Sequence, residues 1–248
     1  HALAGAMAFS GVRVMSLLKR RVATAIAVVG VASLATFLQV EANHETDDQI
    51  GAEAVWNAGS DDLNEISKAC GNAQPTEYTH CFIEQMGGYA SSDAVAFSQM
   101  LAAQKPSRTG YLDGMHEAGL VDLGYVTYPG SSKSNRGWVL LNGFPALVNV
   151  DDVSMLPRSD MEKDPQFADL RKTHPHVQLT VLDSQRSPDV SPQIVQLADG
   201  GERFVIPYSL QEVCDGCISL GQATFAFDFD PAGQFLGVKF IHVTRTQP

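Results

Sequence analysis

Four cysteines are the residues of this 248-residue chain with the most evident capacity for chemistry. Cys214 and Cys217 form a C-x-x-C motif, and Cys70 and Cys81 lie eleven positions apart. A redox-active C-x-x-C sits at the start of a helix, where the helix dipole lowers the pKa of the first thiol. The residues after Cys217 show no helical pattern, and Asp215 would oppose a thiolate. Four thiols allow three pairings, which sequence alone does not resolve, but we expect two local structural disulfides, Cys70–Cys81 and Cys214–Cys217.

Two histidines, His174 and His176, form a close pair of imidazoles. With a nearby carboxylate, such a pair can hold a metal ion. The two rings flank a proline at the end of a predicted helix, so they need not point the same way, and the helix dipole by itself favours His at this position. We therefore predict no metal site and keep His174 and His176 as the candidates if one exists. The cysteine spacings fit neither a zinc knuckle nor haem attachment, so we expect no cofactor.

A loop between two aromatic-bearing strands is the candidate binding surface. Residues 125–141 read YVTYPGSSKSNRGWVLL, in which Tyr128, Lys133, Arg136 and Trp138 would give an acidic protein a local cationic and aromatic surface. Such a surface suits carboxylate or sugar ligands. The alternative is an ordinary hairpin loop whose tryptophan belongs to the core.

Known catalytic motifs are missing. The sequence contains no G-x-S-x-G, no H-E-x-x-H, no Walker-type phosphate loop and no G-x-G-x-x-G. Residues 149–152 (NVDD) are interpreted as a strand end with an Asp turn rather than as a catalytic pair of carboxylates. We therefore predict a binding or protein-interaction module, with a small molecule or a protein as partner, and leave open whether it is an enzyme. The alternative is an envelope enzyme, either a thiol–disulfide oxidoreductase using Cys214 and Cys217 or a hydrolase with a scattered site.

The first 42 residues have the pattern of an export signal. From Met15, the basic segment MSLLKRR precedes 17 uncharged residues at positions 22–38, and Val40 and Ala42 occupy the −3 and −1 positions of a cut before Asn43. A basic start, an apolar middle and a small-x-small end are typical of a secretory signal peptide. We expect a periplasmic or secreted protein without a membrane span after cleavage. The alternative is a chain anchored by the uncleaved segment.

The charge of the chain is uneven. The full sequence has 17 Lys+Arg against 28 Asp+Glu, a net charge of −11, whereas residues 43–248 have 13 against 27, a net charge of −14. Binding to nucleic acid needs clustered cations, so this balance argues against it. An apolar content of 44% is typical of a globular protein. We predict one domain over residues 43–248, after residues 1–42, which comprise the signal peptide and the residues upstream of Met15.

The elements that must position these residues divide into a helical part, residues 43–120, and a sheet part, residues 121–248. Helical spacing and caps predict helices that begin near Ser60, Thr76 and Ser91, with a weaker one over residues 111–118. Cys70 and Cys81 would then meet across a tight helical hairpin. The second part alternates with period 2, and a single helix over residues 166–173 interrupts it. The predicted strands cover residues 125–129, 137–141, 146–150, 177–182, 194–197, 203–208, 224–229 and 235–244.

These patterns predict an α+β protein in which N-terminal helical hairpins pack on a C-terminal antiparallel β-sheet built from hairpins. Phe225, Phe227 and Phe229 share one face of their strand by strict alternation, which marks the buried side of that sheet. Two segments, GWVLLNGFPALVNVDD and CDGCISLGQATFAFDFDPAGQFLGVKFIHV, resemble exported bacterial proteins of uncharacterised function. The resemblance covers about residues 60–244. It implies export, but no activity and no catalytic residue.

Overall fold

The computed structural model describes residues 49–71, 73–106, 108–129, 135–181, 191–212 and 219–246. The predicted signal peptide, Lys133, Cys214 and Cys217 lie outside these ranges. Within them, no helix is both long enough and apolar enough to cross a membrane. The helices are α1 Ser60–Cys70, α2 Pro75–Met86, α3 Ser92–Gln104, α4 Arg158–Met161 and α5 Pro165–Thr173.

The three N-terminal helices begin within one residue of the predicted starts, but only Ser91 is an N-cap, since Gly59 and Gln74 occupy the N-cap positions of α1 and α2. Helix α1 ends at Gly71, whose φ of 53° suits glycine. Helix α2 begins with Pro75 in its first turn, where the missing N–H of proline costs nothing. The Ser91 hydroxyl accepts a hydrogen bond from Ala94 N at 3.1 Å and so caps α3. Together these signals confirm the predicted helical part over residues 60–104.

The segment after α3 differs from the prediction. Residues 111–118, which the sequence suggested as a helix, instead form strand β1, Tyr111–His116. Leu112 lies opposite Val126 of the next strand and is fully buried, and a register shift at Asp113 marks a bulge. Gly114 inside the segment weakens any local helix preference. The helix prediction is wrong because burial against the neighbouring strand outweighs that weak preference.

The strands form two antiparallel sheets, where the sequence suggested one. The α+β class is confirmed, with the helices mainly in the N-terminal part and the sheets mainly in the C-terminal part. The first sheet has the order β1-β2-β3-β4, and the second has the order β5-β7-β8-β9 with β6 also paired to β7. Besides β1, the strands are β2 Asp122–Tyr128, β3 Asn135–Leu141, β4 Leu147–Val148, β5 Val177–Val181, β6 Gln193–Gln196, β7 Glu202–Glu212, β8 Ser219–Phe229 and β9 Phe235–Arg245.

One hydrophobic core joins the two sheets. Its buried members come from β2 and β3 of the first sheet, from β7 and β8 of the second, and from α5. The predicted face of Phe225, Phe227 and Phe229 belongs to it, and all three side chains are fully buried. The opposite face of the first sheet packs on α3 through a separate core that contains Phe97 and Leu101. The first sheet therefore lies between α3 and the second sheet.

A predicted turn closes the hairpin of β3 and β4. Asn142 adopts a φ of 65°, a conformation that asparagine tolerates better than most residues. Its amide donates to Asp122 Oδ2 at 2.6 Å and to the carbonyl of Ile50 at 3.1 Å, and its carbonyl accepts from Ile50 N at 2.8 Å. The turn residue thus ties the start of the described chain to the first sheet.

A buried carboxylate stands on the side of β8 opposite the phenylalanines. Asp228 accepts hydrogen bonds from Arg203 Nε at 2.6 Å, from Arg203 Nη2 at 2.8 Å and from Lys239 Nζ at 2.7 Å. The side chain of Asp228 is 2% exposed, whereas those of Arg203 and Lys239 are 29% and 63% exposed. The hydrogen bonds from Arg203 are the main cause that holds the pKa of Asp228 below its usual value. This cluster links the three long strands across the outer face of the second sheet.

Candidate functional site

The predicted binding loop does not bring its two aromatic side chains to one surface. Tyr128 lies in the core that contains α3, whereas Trp138 lies in the core between the two sheets. Their exposed fractions are 3% and 2%. The register explains this arrangement. Tyr128 of β2 lies opposite Asn135 of β3, and Trp138 lies three residues after Asn135 in β3. Adjacent positions on a strand point to opposite faces, so the two rings lie on opposite sides of the first sheet.

Arg136 is the described cation of that loop. Its Nη2 lies 2.9 Å from Asp113 Oδ2, which also accepts a hydrogen bond from Thr127 Oγ1 at 2.9 Å. The Arg136 side chain is 46% exposed. Its partner comes from the bulge in β1, so this guanidinium serves to hold the bulge residue against β2 and β3.

The cysteine prediction is confirmed for the pair that the structure describes. Cys70 at the end of α1 and Cys81 in α2 form a disulfide with a Cα–Cα distance of 5.6 Å. The bond joins the two helices beside a core that contains Trp56 and Phe82, so it has the surroundings of a structural cross-link. The proposed Cys214–Cys217 pair lies outside the described residues and stays a prediction.

Among the described residues, the two histidines form no metal site with neighbouring groups. His174 Nδ1 lies 3.2 Å from Glu212 Oε1, and His176 is exposed. Over the ranges that the structure covers, no group of three or more His, Cys, Asp or Glu side chains has the arrangement of a metal site. His174 instead links the end of α5 to the end of β7.

One acidic residue in the core, Asp151, has a strongly shifted pKa. Asp151 follows the Asn149 turn that the sequence predicts at the end of β4, and its backbone N–H donates to Asn149 Oδ1 at 3.0 Å. Burial raises the pKa of the Asp151 carboxyl to about 6, although the Arg108 cation and the Tyr128 hydroxyl act to lower it. Asp151 Oδ1 accepts a long hydrogen bond of 3.5 Å from Trp138 N, whereas Oδ2 has no hydrogen-bond partner among the described residues. No sequence signal marks this burial, since an Asp in a turn is usually exposed.

Neither of the two cavities described below includes Asp151 in its lining. Burial of Asp151 bears on the stability of the fold, because an ionised group is held away from water.

A small cavity lies beside the second sheet. It has a volume of about 230 Å³ and is formed by α4, α5 and the start of β5. Its polar lining combines two guanidiniums, a carboxylate and an amide, and its apolar lining includes side chains of the inter-sheet core. The polar residues are Arg158, Glu162, Arg171 and Gln178, and the buried apolar residues are Met161, Phe167 and Leu179.

Local sequence signals position this cavity. Asp164 Oδ1 accepts hydrogen bonds from the N–H groups of Gln166 and Phe167 at 2.8 and 3.3 Å and so caps α5. Asp164 Oδ2 accepts from Val243 N at 3.3 Å, which fixes the start of α5 against β9. Leu179 lies opposite Leu210 of β7 and anchors the other wall. The helix and the strand that face each other across the cavity are thus both attached to the second sheet.

Two of the polar groups in the cavity already interact. Arg171 Nη1 lies 3.6 Å from Glu162 Oε1, and both side chains are more than half exposed. Arg158 forms no ion pair with any residue that the structure covers, and it too is exposed. The helix predicted over residues 166–173 includes Arg171, but no sequence pattern marks Arg171 or Arg158 as functional. The two arginines lie thirteen positions apart, so no short motif could reveal the site.

A second depression follows the outer edge of β1. Its volume is about 620 Å³, and residues 113–117 line it together with Ala52, Val55 and Asn57. It is wider and more open to solvent than the cavity beside the second sheet. Of its two acidic residues, Asp113 and Glu117, the first is already paired with Arg136. Because small molecules are better retained by enclosed sites with convergent polar groups, we take the smaller cavity as the candidate functional site.

The fold and the cavity define a class: an α+β protein whose two antiparallel sheets share one core, with a small arginine-lined cavity beside the second sheet. Comparison with family models, with curated proteins and with solved structures finds no match to this chain.

Proposed function

We propose that this chain is an exported binding module that holds a small molecule in the cavity between α4, α5 and β5. The observation that carries the proposal is the cavity itself, which combines an apolar floor from Met161, Phe167 and Leu179 with polar side chains at its rim. Polar side chains supply most of the accessible lining, and convergent polar groups of this kind fix the orientation of a bound ligand. The volume of about 230 Å³ limits the ligand to a small molecule.

The polar groups at the rim favour binding over catalysis. Guanidinium groups stay protonated over the physiological range, so Arg158 and Arg171 are suited to hold a ligand rather than to transfer a proton. Glu162 is more than half exposed and faces Arg171, an arrangement typical of a surface ion pair. Among the residues that the structure describes, the lining of this cavity includes no serine, cysteine or histidine that could act as a nucleophile or base.

A cavity-filling variant tests the proposal. Gln178 is exposed at the rim, so Gln178→Trp should occupy the cavity without disturbing the core. Gln193→Trp is the matched control, since Gln193 is also exposed on a strand of the same sheet but does not line the cavity. A small-molecule library is screened by ligand-observed NMR against the full chain. Ligands that bind the wild type should be lost with Gln178→Trp and kept with Gln193→Trp. A library whose ligands survive Gln178→Trp unchanged would place binding elsewhere.

Export is the second part of this proposal. The basic and apolar N-terminal segment supports it, and so does the Cys70–Cys81 disulfide, because disulfides persist mainly in oxidising compartments. Expression of the full chain in a bacterium, followed by cell fractionation and N-terminal sequencing, tests it. We expect protein outside the cytoplasm that begins at Asn43. Protein retained in the membrane with its N-terminus intact would support the anchored alternative instead.

The C-x-x-C motif supports a second candidate function, thiol–disulfide exchange by Cys214 and Cys217. Reduction of insulin disulfides by dithiothreitol should then be faster with the wild type than with Cys217→Ser. Cys70→Ser is the control, because it removes a cysteine from the structural pair. Equal rates for the wild type and Cys217→Ser would remove this candidate.

A further inference from the structure

We infer that the cavity between α4, α5 and β5 selects an organic anion that carries one negative charge, an inference that rests on the proposed small-molecule function. The charged side chains in the lining are the cations Arg158 and Arg171 and the anion Glu162. Their formal charges add to one positive charge. A single carboxylate can pair with the guanidinium of Arg158, whereas a second carboxylate on the same ligand would find Arg171 already paired with Glu162, whose negative charge repels it.

The two arginines have different tasks in this arrangement. Arg158 has no carboxylate partner among the described residues, so its fork of N–H donors is available to a ligand in a bidentate hydrogen-bonded pair. Arg171 is shared with Glu162 at 3.6 Å, a distance too long for a strong hydrogen bond. A ligand carboxylate between the two guanidiniums would compete with Glu162 for Arg171. Glu162 therefore lowers the affinity for an anion and raises the selectivity against a second charge.

The floor of the cavity defines the rest of the ligand. Met161, Phe167 and Leu179 are at most 8% exposed and belong to the inter-sheet core, so the surface that they present to the cavity is apolar. The volume of about 230 Å³ corresponds to roughly seven or eight water molecules at liquid density. A compact apolar body fits this space, and an inorganic anion would leave the floor uncovered. The ligand class is therefore a small monocarboxylate with an aromatic or branched aliphatic body.

Three aromatic probes of similar shape distinguish the effect of ligand charge on affinity from the effect of the aromatic ring. Benzoate has one negative charge, benzamide has none and phthalate has two. Their affinities for the full oxidised chain are measured by chemical-shift titration at pH 7.5 and low salt. We expect benzoate to bind most tightly, at least about tenfold tighter than benzamide, as charge-assisted hydrogen bonds predict, and phthalate to bind more weakly than benzoate because Glu162 repels its second carboxylate.

Two substitutions in the lining and one outside it complete the test. Arg158→Gln should weaken benzoate by about tenfold and leave benzamide nearly unchanged. Glu162→Gln should strengthen benzoate and reduce the disadvantage of phthalate. Arg136→Gln removes the same charge from an exposed arginine in the first sheet and should change no affinity. It also tests the loop that the sequence suggested as a binding surface.

The outcomes distinguish this inference from the function on which it rests. Suppose that benzamide and benzoate bind with equal affinity, that Arg158→Gln changes neither affinity and that Gln178→Trp abolishes both. This result would overturn the anion selectivity and leave the small-molecule function standing. Binding of all three probes that survives Gln178→Trp, or binding of none, would overturn both. A loss of benzoate with Arg136→Gln equal to the loss with Arg158→Gln would move the anion site to the first sheet.

Discussion

Replacing Asp151 by asparagine removes a charge from the core while it keeps the shape of the side chain. Burial raises the pKa of Asp151 from 3.8 to about 6. The folded state therefore binds a proton at this group more tightly than the unfolded state does, so ionisation of Asp151 destabilises the fold. Each pKa unit corresponds to about 1.4 kcal/mol, so the full cost at neutral pH is about 3 kcal/mol.

The two pKa values fix how the contribution of Asp151 to stability changes with pH, and over which pH range it changes. As the pH rises from 3.8 to about 6, the unfolded chain loses the Asp151 proton first, and the stability that this group contributes declines. Above that range the cost is constant. The asparagine side chain of the variant does not titrate, and its carbonyl can still accept the hydrogen bond from Trp138 N. We therefore expect the Asp151→Asn variant to be more stable than the wild type by about 1.5 kcal/mol at pH 5 and by about 3 kcal/mol at pH 7.5.

Urea denaturation of both proteins at a series of pH values measures this difference. The difference is more informative than either curve, because the many other carboxylates of this acidic chain titrate equally in both proteins. Asp152→Asn is the matched control one residue further on. Burial acts to raise the pKa of Asp152, but hydrogen bonds from Ser154 outweigh it and lower that pKa, so this variant should not gain stability at high pH. A stability gain of Asp151→Asn that is independent of pH, or a loss at pH 7.5, would refute the buried-charge reasoning.

Three further substitutions test other parts of the fold. Replacing Cys70 and Cys81 together by serine should destabilise the oxidised protein by about 3 kcal/mol on the chain-entropy model, measured by urea denaturation, because the bond closes a loop with a sequence separation of 11. Asn142→Ala should lower the melting temperature more than Asn142→Gly, since both lose the same hydrogen bonds but only glycine accepts a φ of 65° without strain; the reverse order would contradict this assignment. Asp228→Asn should destabilise the protein fully at pH 7 and progressively less as the pH falls below about 4, because pairing with Arg203 holds the pKa of Asp228 below its usual value and the stabilisation is lost only as the folded carboxylate gains a proton. An equal loss at every pH would argue that charge plays no part.

The sequence predicts those elements whose residues interact locally. Ser91 caps α3 and Asp164 caps α5 through atoms two to three residues away, so a short window contains the whole signal. The alternation of Phe225 to Phe229 likewise defines a face without reference to any other strand. The Cys70–Cys81 bond was predictable because its two helices are adjacent in the chain. Strand β1 was not, since its conformation depends on pairing with β2.

The candidate site could not be predicted from the sequence, because it too depends on contacts between distant residues. Tyr128 and Trp138 look like one surface in a linear sequence, and only the register between β2 and β3 reveals that they lie on opposite faces. Arg158 and Arg171 look unrelated, and only the attachment of α5 to β9 and of β5 to β7 brings them to one cavity. Both results depend on contacts between residues far apart in the sequence.

An acidic body and a cationic cavity act on an anionic ligand over different distances. The charge of −14 over residues 43–248 repels anions, but salt screens exposed charges beyond about 8 Å at physiological ionic strength. The two guanidiniums act at hydrogen-bond distance, where screening is weakest and where the apolar floor displaces water. Selectivity must therefore come from contact with Arg158 and Arg171 and from the competing Glu162 rather than from attraction at long range. On the proposed function, an organic anion that also contacts Met161, Phe167 and Leu179 would gain contact that a bare inorganic ion lacks, so the expected ligand is an organic carboxylate.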